Sequence, residues 1–254
     1  MEESPQPSMP KVGKGHTAWV KVCHWIGTVS FLALAFTGVV ILMSHPRLYW
    51  GEVGNDLTPA LIELPISRNH QHAGWNESVP FFQDTASPVS AIRTFEIFNQ
   101  HGWARSLHFL AAWFLVLIGA IYLLAGVFTN HFRRHIVPRS AELRLGLLWR
   151  DLRDHVRLKI QAATGGPRYG VLQKCTYSVV MFIAVPLAVV TGLAMSPAIT
   201  TAYPFLSGMF GGFQSARTIH FGVFIILTVF LLLHVVMIIK SGFKSQVRAM
   251  TLGE

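Results

Sequence analysis

The chain is short of charge. Asp, Glu, Lys and Arg make up 13% of its 254 residues while 52% are hydrophobic, whereas about a quarter of a soluble domain is charged. Cysteine is scarce as well. Cys23 and Cys175 are the two present, with no CxxCH attachment motif and no cysteine cluster suited to an iron–sulfur centre. Any redox cofactor would need other ligands. No repeat of 20 to 50 residues and no low-complexity segment occurs.

What is present is four long apolar runs, roughly 22–43, 106–128, 175–195 and 218–239, none containing Asp or Glu. About 20 helical residues at 1.5 Å each span a hydrocarbon core of about 30 Å. The fold expected is an all-α integral membrane protein, a four-helix transmembrane bundle forming a single domain over 1–254. The first run is too long for the apolar core of a signal peptide and no small-residue cleavage site follows it, so it is expected to remain as the first helix.

The net charge of +9 resolves into a topology. Sixteen Lys and Arg lie before the first run, between the second and third, and after the fourth; five lie in the other two connections. Basic flanks stay in the cytoplasm, which puts both termini there, in a bacterial inner membrane. The charge is therefore no sign of nucleic-acid binding. The segment 44–104 becomes a long extracytoplasmic loop whose Trp50, Trp75, Phe81, Phe82 and Trp103 favour an ordered cap and docking surface, with a short helix near 89–99. In the cytoplasmic segment 129–174, Leu145, Leu148, Trp149, Leu152, Val156 and Ile160 recur at helical spacing among arginines. That pattern predicts an interfacial amphipathic helix over 141–160, facing lipid headgroups.

Four of the twelve histidines fall inside the apolar runs: His24, His108, His220 and His234. Ionisable groups are costly in a membrane, and one alone is equally well a packing residue. These four match in depth. His24 and His234 lie near the cytoplasmic ends, His108 and His220 near the outer ends, and the fourth helix supplies one of each. Fourteen residues separate His220 from His234, a rise of about 21 Å that leaves them within about 40° of one face. Two irons held there would stack across the bilayer as an electron path. A transporter would instead gather ligands, carboxylates among them, at one level.

Lys21, Arg105 and Arg217 each stand three residues before one of these histidines, on the same face and one turn nearer water. They suit haem propionates, although snorkelling cations at a boundary look the same. Ala112, Gly119, Gly126 and Gly38 leave room for a flat ring or, equally, for close helix packing. His131 and His135 compete for the inner site but sit beside Arg133 and Arg134 like interface residues. His70 and His72 have too few partners for a metal site.

The stretches Val22-Cys23-His24-Trp25 to Thr37-Gly38, Arg105-Ser106-Leu107-His108, and Arg217-Thr218-Ile219-His220 through His234 resemble the bacterial di-haem cytochromes b. These are the b561-type membrane subunits of nickel–iron hydrogenases, formate dehydrogenases and thiosulfate-reductase-like complexes. The resemblance implies two haem b groups, one between His24 and His234 and one between His108 and His220. It also implies an extracytoplasmic catalytic partner, by analogy a molybdoenzyme, and a quinone (menaquinone or ubiquinone) site near the inner haem, where Arg168, Tyr169 and Gln173 are placed for contacts. The function expected is transmembrane electron transfer between that oxidoreductase and the quinone pool. The alternative is a stand-alone enzyme that oxidises a small reductant such as superoxide at Arg105 and Arg217 and reduces quinone.

Overall fold

The computed structural model describes residues 17–55, 58–66, 101–156 and 170–252. Helix α1 (Ala18–Ser44) is followed by a two-stranded antiparallel hairpin, β1 (Arg47–Leu48) and β2 (Ile62–Glu63), then by α2 (His101–Phe128). A π-turn at Phe132–Ile136 and a short 3-10 turn lead to α3 (Leu145–Val156). Helix α4 (Val171–Ala194) returns through the bundle. Two short helices, α5 (Pro197–Ala202) and α6 (Phe205–Met209), connect it to α7 (Phe213–Lys240), and α8 (Phe243–Thr251) closes the chain.

Helices α1, α2, α4 and α7 are long and apolar enough to cross a membrane, and each begins four or five residues before its apolar run. Polar residues at an interface still hydrogen-bond as helix, so hydropathy marks the hydrocarbon rather than the helix ends. Of the amphipathic helix expected over 141–160, α3 begins at Leu145, after a 3-10 turn at Ser140–Glu142, and residues 157–160 lie outside the described residues. The expected helix at 89–99 lies outside the described residues.

The bundle is two antiparallel pairs, α1 along α2 and α4 along α7, with sparser contact between the pairs. Lipid tails are as apolar as leucine, so helices associate in them through close approach of small residues. Ala104, Ala194, Ala216, Thr37, Thr191 and Ser215 are fully enclosed, while Val29, Leu117, Leu124, Ile226 and Leu232 face outward to lipid. Midway along the bundle Ala184, Val223 and Leu227 form a buried cluster, against which Phe31 of α1 packs. Inside α4, a π-bulge at Val180–Ala184 precedes Pro186. The wider turn there accommodates a proline that has no N–H and crowds the carbonyl four residues back.

Helix ends are the weak points of such a fold, because the first N–H groups have no partner within the helix. Here they are satisfied by distant segments. On α7, the Phe213 N–H donates to Glu52 Oε2 at 3.0 Å, and the Gln214 and Ser215 N–H groups donate to the Gly51 carbonyl at 3.0 and 3.2 Å. The Thr218 hydroxyl bonds the Tyr49 carbonyl at 2.6 Å. On α4, the Leu172 N–H donates to Asp151 of α3 at 2.8 Å. Two carboxylates thus sit at the positive ends of two spanning helices. Where α1 begins, the last carbonyls of α8 accept from Trp25 Nε1 at 3.1 Å and Lys21 Nζ at 3.2 Å.

The α7 clamp leaves no space for a side chain at Gly212. Its φ is +115°, and a Cβ there would lie 2.5 Å from the Gly51 carbonyl group. Gly212→Ala is expected to cost about 2 kcal/mol from strain and displacement of the hairpin. Gly222→Ala, where an added Cβ meets nothing within 4 Å, should be neutral or slightly stabilising. Thermal unfolding in detergent, followed by helical circular dichroism, checks the pair.

A second tie joins Lys174 of α4 to Glu142 at 2.9 Å. The hydrogen bond from Lys174 and then that from the Arg139 backbone hold the Glu142 carboxyl below its ordinary value. A carboxyl lowered in the folded state stabilises above its unfolded value of about 4.3, and the gain disappears as pH falls through the lower folded value. Being near the surface, the pair is worth under about 1 kcal/mol. The stability difference between wild type and Glu142→Gln should therefore be present at neutral pH and vanish under acid conditions in detergent melts.

Candidate functional site

His108 on α2 and His220 on α7 face one another across the gap between the helix pairs, towards the end of the bundle that carries the hairpin. Their ring centroids are 6.4 Å apart with planes inclined at 62°. Two metal–nitrogen bonds of about 2 Å each, with roughly 1 Å from each nitrogen to its ring centre, add to about 6 Å. The separation would leave room for one metal ion between the two imidazoles.

Each ring is held from behind in the same way. His108 Nδ1 lies 2.9 Å from the hydroxyl of Thr37 on α1, and His220 Nδ1 lies 2.9 Å from the hydroxyl of Thr191 on α4. A glycine follows each threonine. A Cβ added at Gly38 would come 3.6 Å from His108 Cε1, and one at Gly192 would come 3.6 Å from His220 Cε1. So α1 offers to α2 the same Thr-Gly step that α4 offers to α7.

Towards the other end of the bundle stand His24 on α1 and His234 on α7. The His234 ring stacks on Phe230, centroids 5.7 Å apart, and meets Tyr177 edge-on at 6.3 Å. His24 Nδ1 is buried and makes no hydrogen bond with any described residue.

The three cations differ in their surroundings. Arg105 is exposed one turn from His108. Arg217, partly buried, donates to the His45 carbonyl and to Gln214 Oε1, and Lys21 bonds the Thr251 carbonyl. Of the residues expected near a quinone, Arg168 and Tyr169 lie outside the described residues. Gln173 accepts the Gly170 N–H at 3.1 Å, capping α4. His131 and His135, 5.0 Å apart, sit in an aromatic cluster with Trp19, Tyr122 and Phe132. The Phe132 ring covers Gly126, where an added Cβ would overlap it, so that glycine serves packing against an aromatic ring. The threonines were missed in the sequence, although the repeated Thr-Gly dipeptide one helix before each histidine was there to find.

A family model described as prokaryotic cytochrome b561 matches residues 15–253. The chain belongs to that family. It is thus a multi-pass membrane haem protein of the cytochrome b561 type, acting in electron transport. A curated relative from Azospira oryzae, named "Putative protein-methionine-sulfoxide reductase subunit YedZ1", is 25% identical over 223 residues, covering 88% of this chain and 89% of its own. No solved structure matches. The residues at the hairpin end fit the haem b of a cytochrome b561. Two partly buried imidazoles leave room for one iron between them, each held at Nδ1 so that Nε2 would be free to bind it.

Proposed function

We propose that the chain is a di-haem b subunit carrying electrons across a bacterial inner membrane, between an extracytoplasmic oxidoreductase and the quinone pool. The observation that carries this reading is the facing of His108 and His220, together with His24 on α1 and His234, which shares α7 with His220, towards the other end of the bundle. The bias of sixteen basic residues to five favours termini in the cytoplasm, which makes the His108–His220 pair the outer one. The name of the Azospira oryzae relative, a reductase subunit, supports an oxidoreductase partner; that this partner contains molybdenum is part of the proposal.

In this reading His108 and His220 hold the outer haem, and His24 and His234 the inner one. Haem would supply a one-electron carrier, and these residues would contribute imidazole nitrogens to hold it, a dry setting and charge for its carboxylates. Arg105 is the exposed base beside the outer pair. Arg217 and Lys21, already bonded to the carbonyls of His45 and Thr251, would share their cations with a propionate. The buried Nδ1 of His24, with no partner among the described residues, supports a polar ligand on the inner side, where the quinone is placed.

Purified protein should carry about two haems per chain by pyridine haemochrome assay, and His220→Ala should lose one of them and keep the other. One haem in the wild type, or full retention in the variant, would sink the pairing. Affinity purification from native membranes should recover a stoichiometric extracytoplasmic oxidoreductase. Quinone reduction by the isolated chain with no partner present would favour the stand-alone enzyme.

A further inference from the structure

A threonine hydroxyl has one proton and two lone pairs, and the direction in which Thr37 and Thr191 spend theirs is fixed by their own helices. Thr37 donates to the Ala33 carbonyl at 2.7 Å, four residues back, with the Leu34 carbonyl at 3.3 Å. Thr191 donates to the Leu187 carbonyl at 2.7 Å, with the Ala188 carbonyl at 3.1 Å. The proton is therefore committed to a carbonyl in each case. What remains to face His108 and His220 is a lone pair, which can only accept. Both threonines are wholly enclosed, so no water competes.

We propose that Thr37 and Thr191 are matched positioning residues that fix the Nδ1–H tautomer of His108 and His220 and aim both Nε2 atoms at one metal. The proposal rests on the ligand assignment above and extends it to two residues on the other helix of each pair. A neutral oxygen accepting from Nδ1–H makes the imidazole a better donor while keeping it neutral, and it sets the ring's rotation about its own axis. The inner pair lacks this device at His24, whose Nδ1 has no partner among the described residues. The two haems are therefore tuned differently by this chain's own residues.

The test is redox titration and frozen-solution EPR of the purified holoprotein with Thr37→Val, Thr191→Val and the corresponding serine variants. Valine keeps the shape and removes the acceptor. The outer haem's midpoint should rise and its low-spin g-values shift as the ring turns, while the inner haem keeps both signatures. Serine, which keeps the acceptor, should restore wild-type values. Valine variants with unchanged midpoint and g-values would overturn the proposal. If the valine variants fail to fold, the serine variants decide. Wild-type signatures there show that the hydroxyl is what the site requires, and altered ones show that the methyl packing matters instead, which overturns it. His220→Ala separates this outcome from failure of the ligand assignment. Loss of one haem there, with unmoved valine variants, sinks only the role of the threonines.

Discussion

Inside a bilayer a backbone N–H or C=O has no water to turn to, and every polar group must find its partner within the protein. The long helices meet this requirement along their length and fail to meet it at their ends. The hairpin closes the start of α7, α3 closes the start of α4, and α1 closes the end of α8. The first and last of these closures join segments far apart in sequence. The same requirement shapes the site, since a buried threonine must bond its own helix and only then has a lone pair to offer a histidine.

The spanning helices were legible because an apolar run of about 20 residues matches the thickness of a bilayer and exceeds what a small soluble core can enclose. The histidines were legible because their depths follow from the spans. The details that hold the histidines were less visible. A threonine in an apolar helix carries no signal by itself, and Thr37 and Thr191 acquire meaning only when α1 is placed beside α2 and α4 beside α7. The pairing of Arg47 with Glu63 and of Leu48 with Ile62 involves strands too short to show alternation. Arg217 read as a base free for a propionate, whereas the structure also gives it the carbonyl of His45, which no pattern in the sequence could indicate.

The two helix pairs repeat one another at the hairpin end and differ at the other. Thr37-Gly38 with His108 and Thr191-Gly192 with His220 are the same local solution used twice. Towards the termini the repeat is lost. His234 is held by aromatic rings, and His24 by no hydrogen bond at Nδ1 among the described residues. Between the two levels lie Phe31, Ala184, Val223 and Leu227, an apolar cluster.

Both histidine pairs draw one member from α7, the last of the four spanning helices to leave the ribosome. His24 and His108 are made early and wait without partners, and the residues that complete them arrive only at positions 220 and 234. If these are the ligand pairs, neither is complete on a nascent chain until its final span has inserted and docked. In the proposed reading, cofactor loading would therefore be timed by the fourth helix, and a chain truncated before position 220 would reach the membrane with His24 and His108 but with neither of their proposed partners.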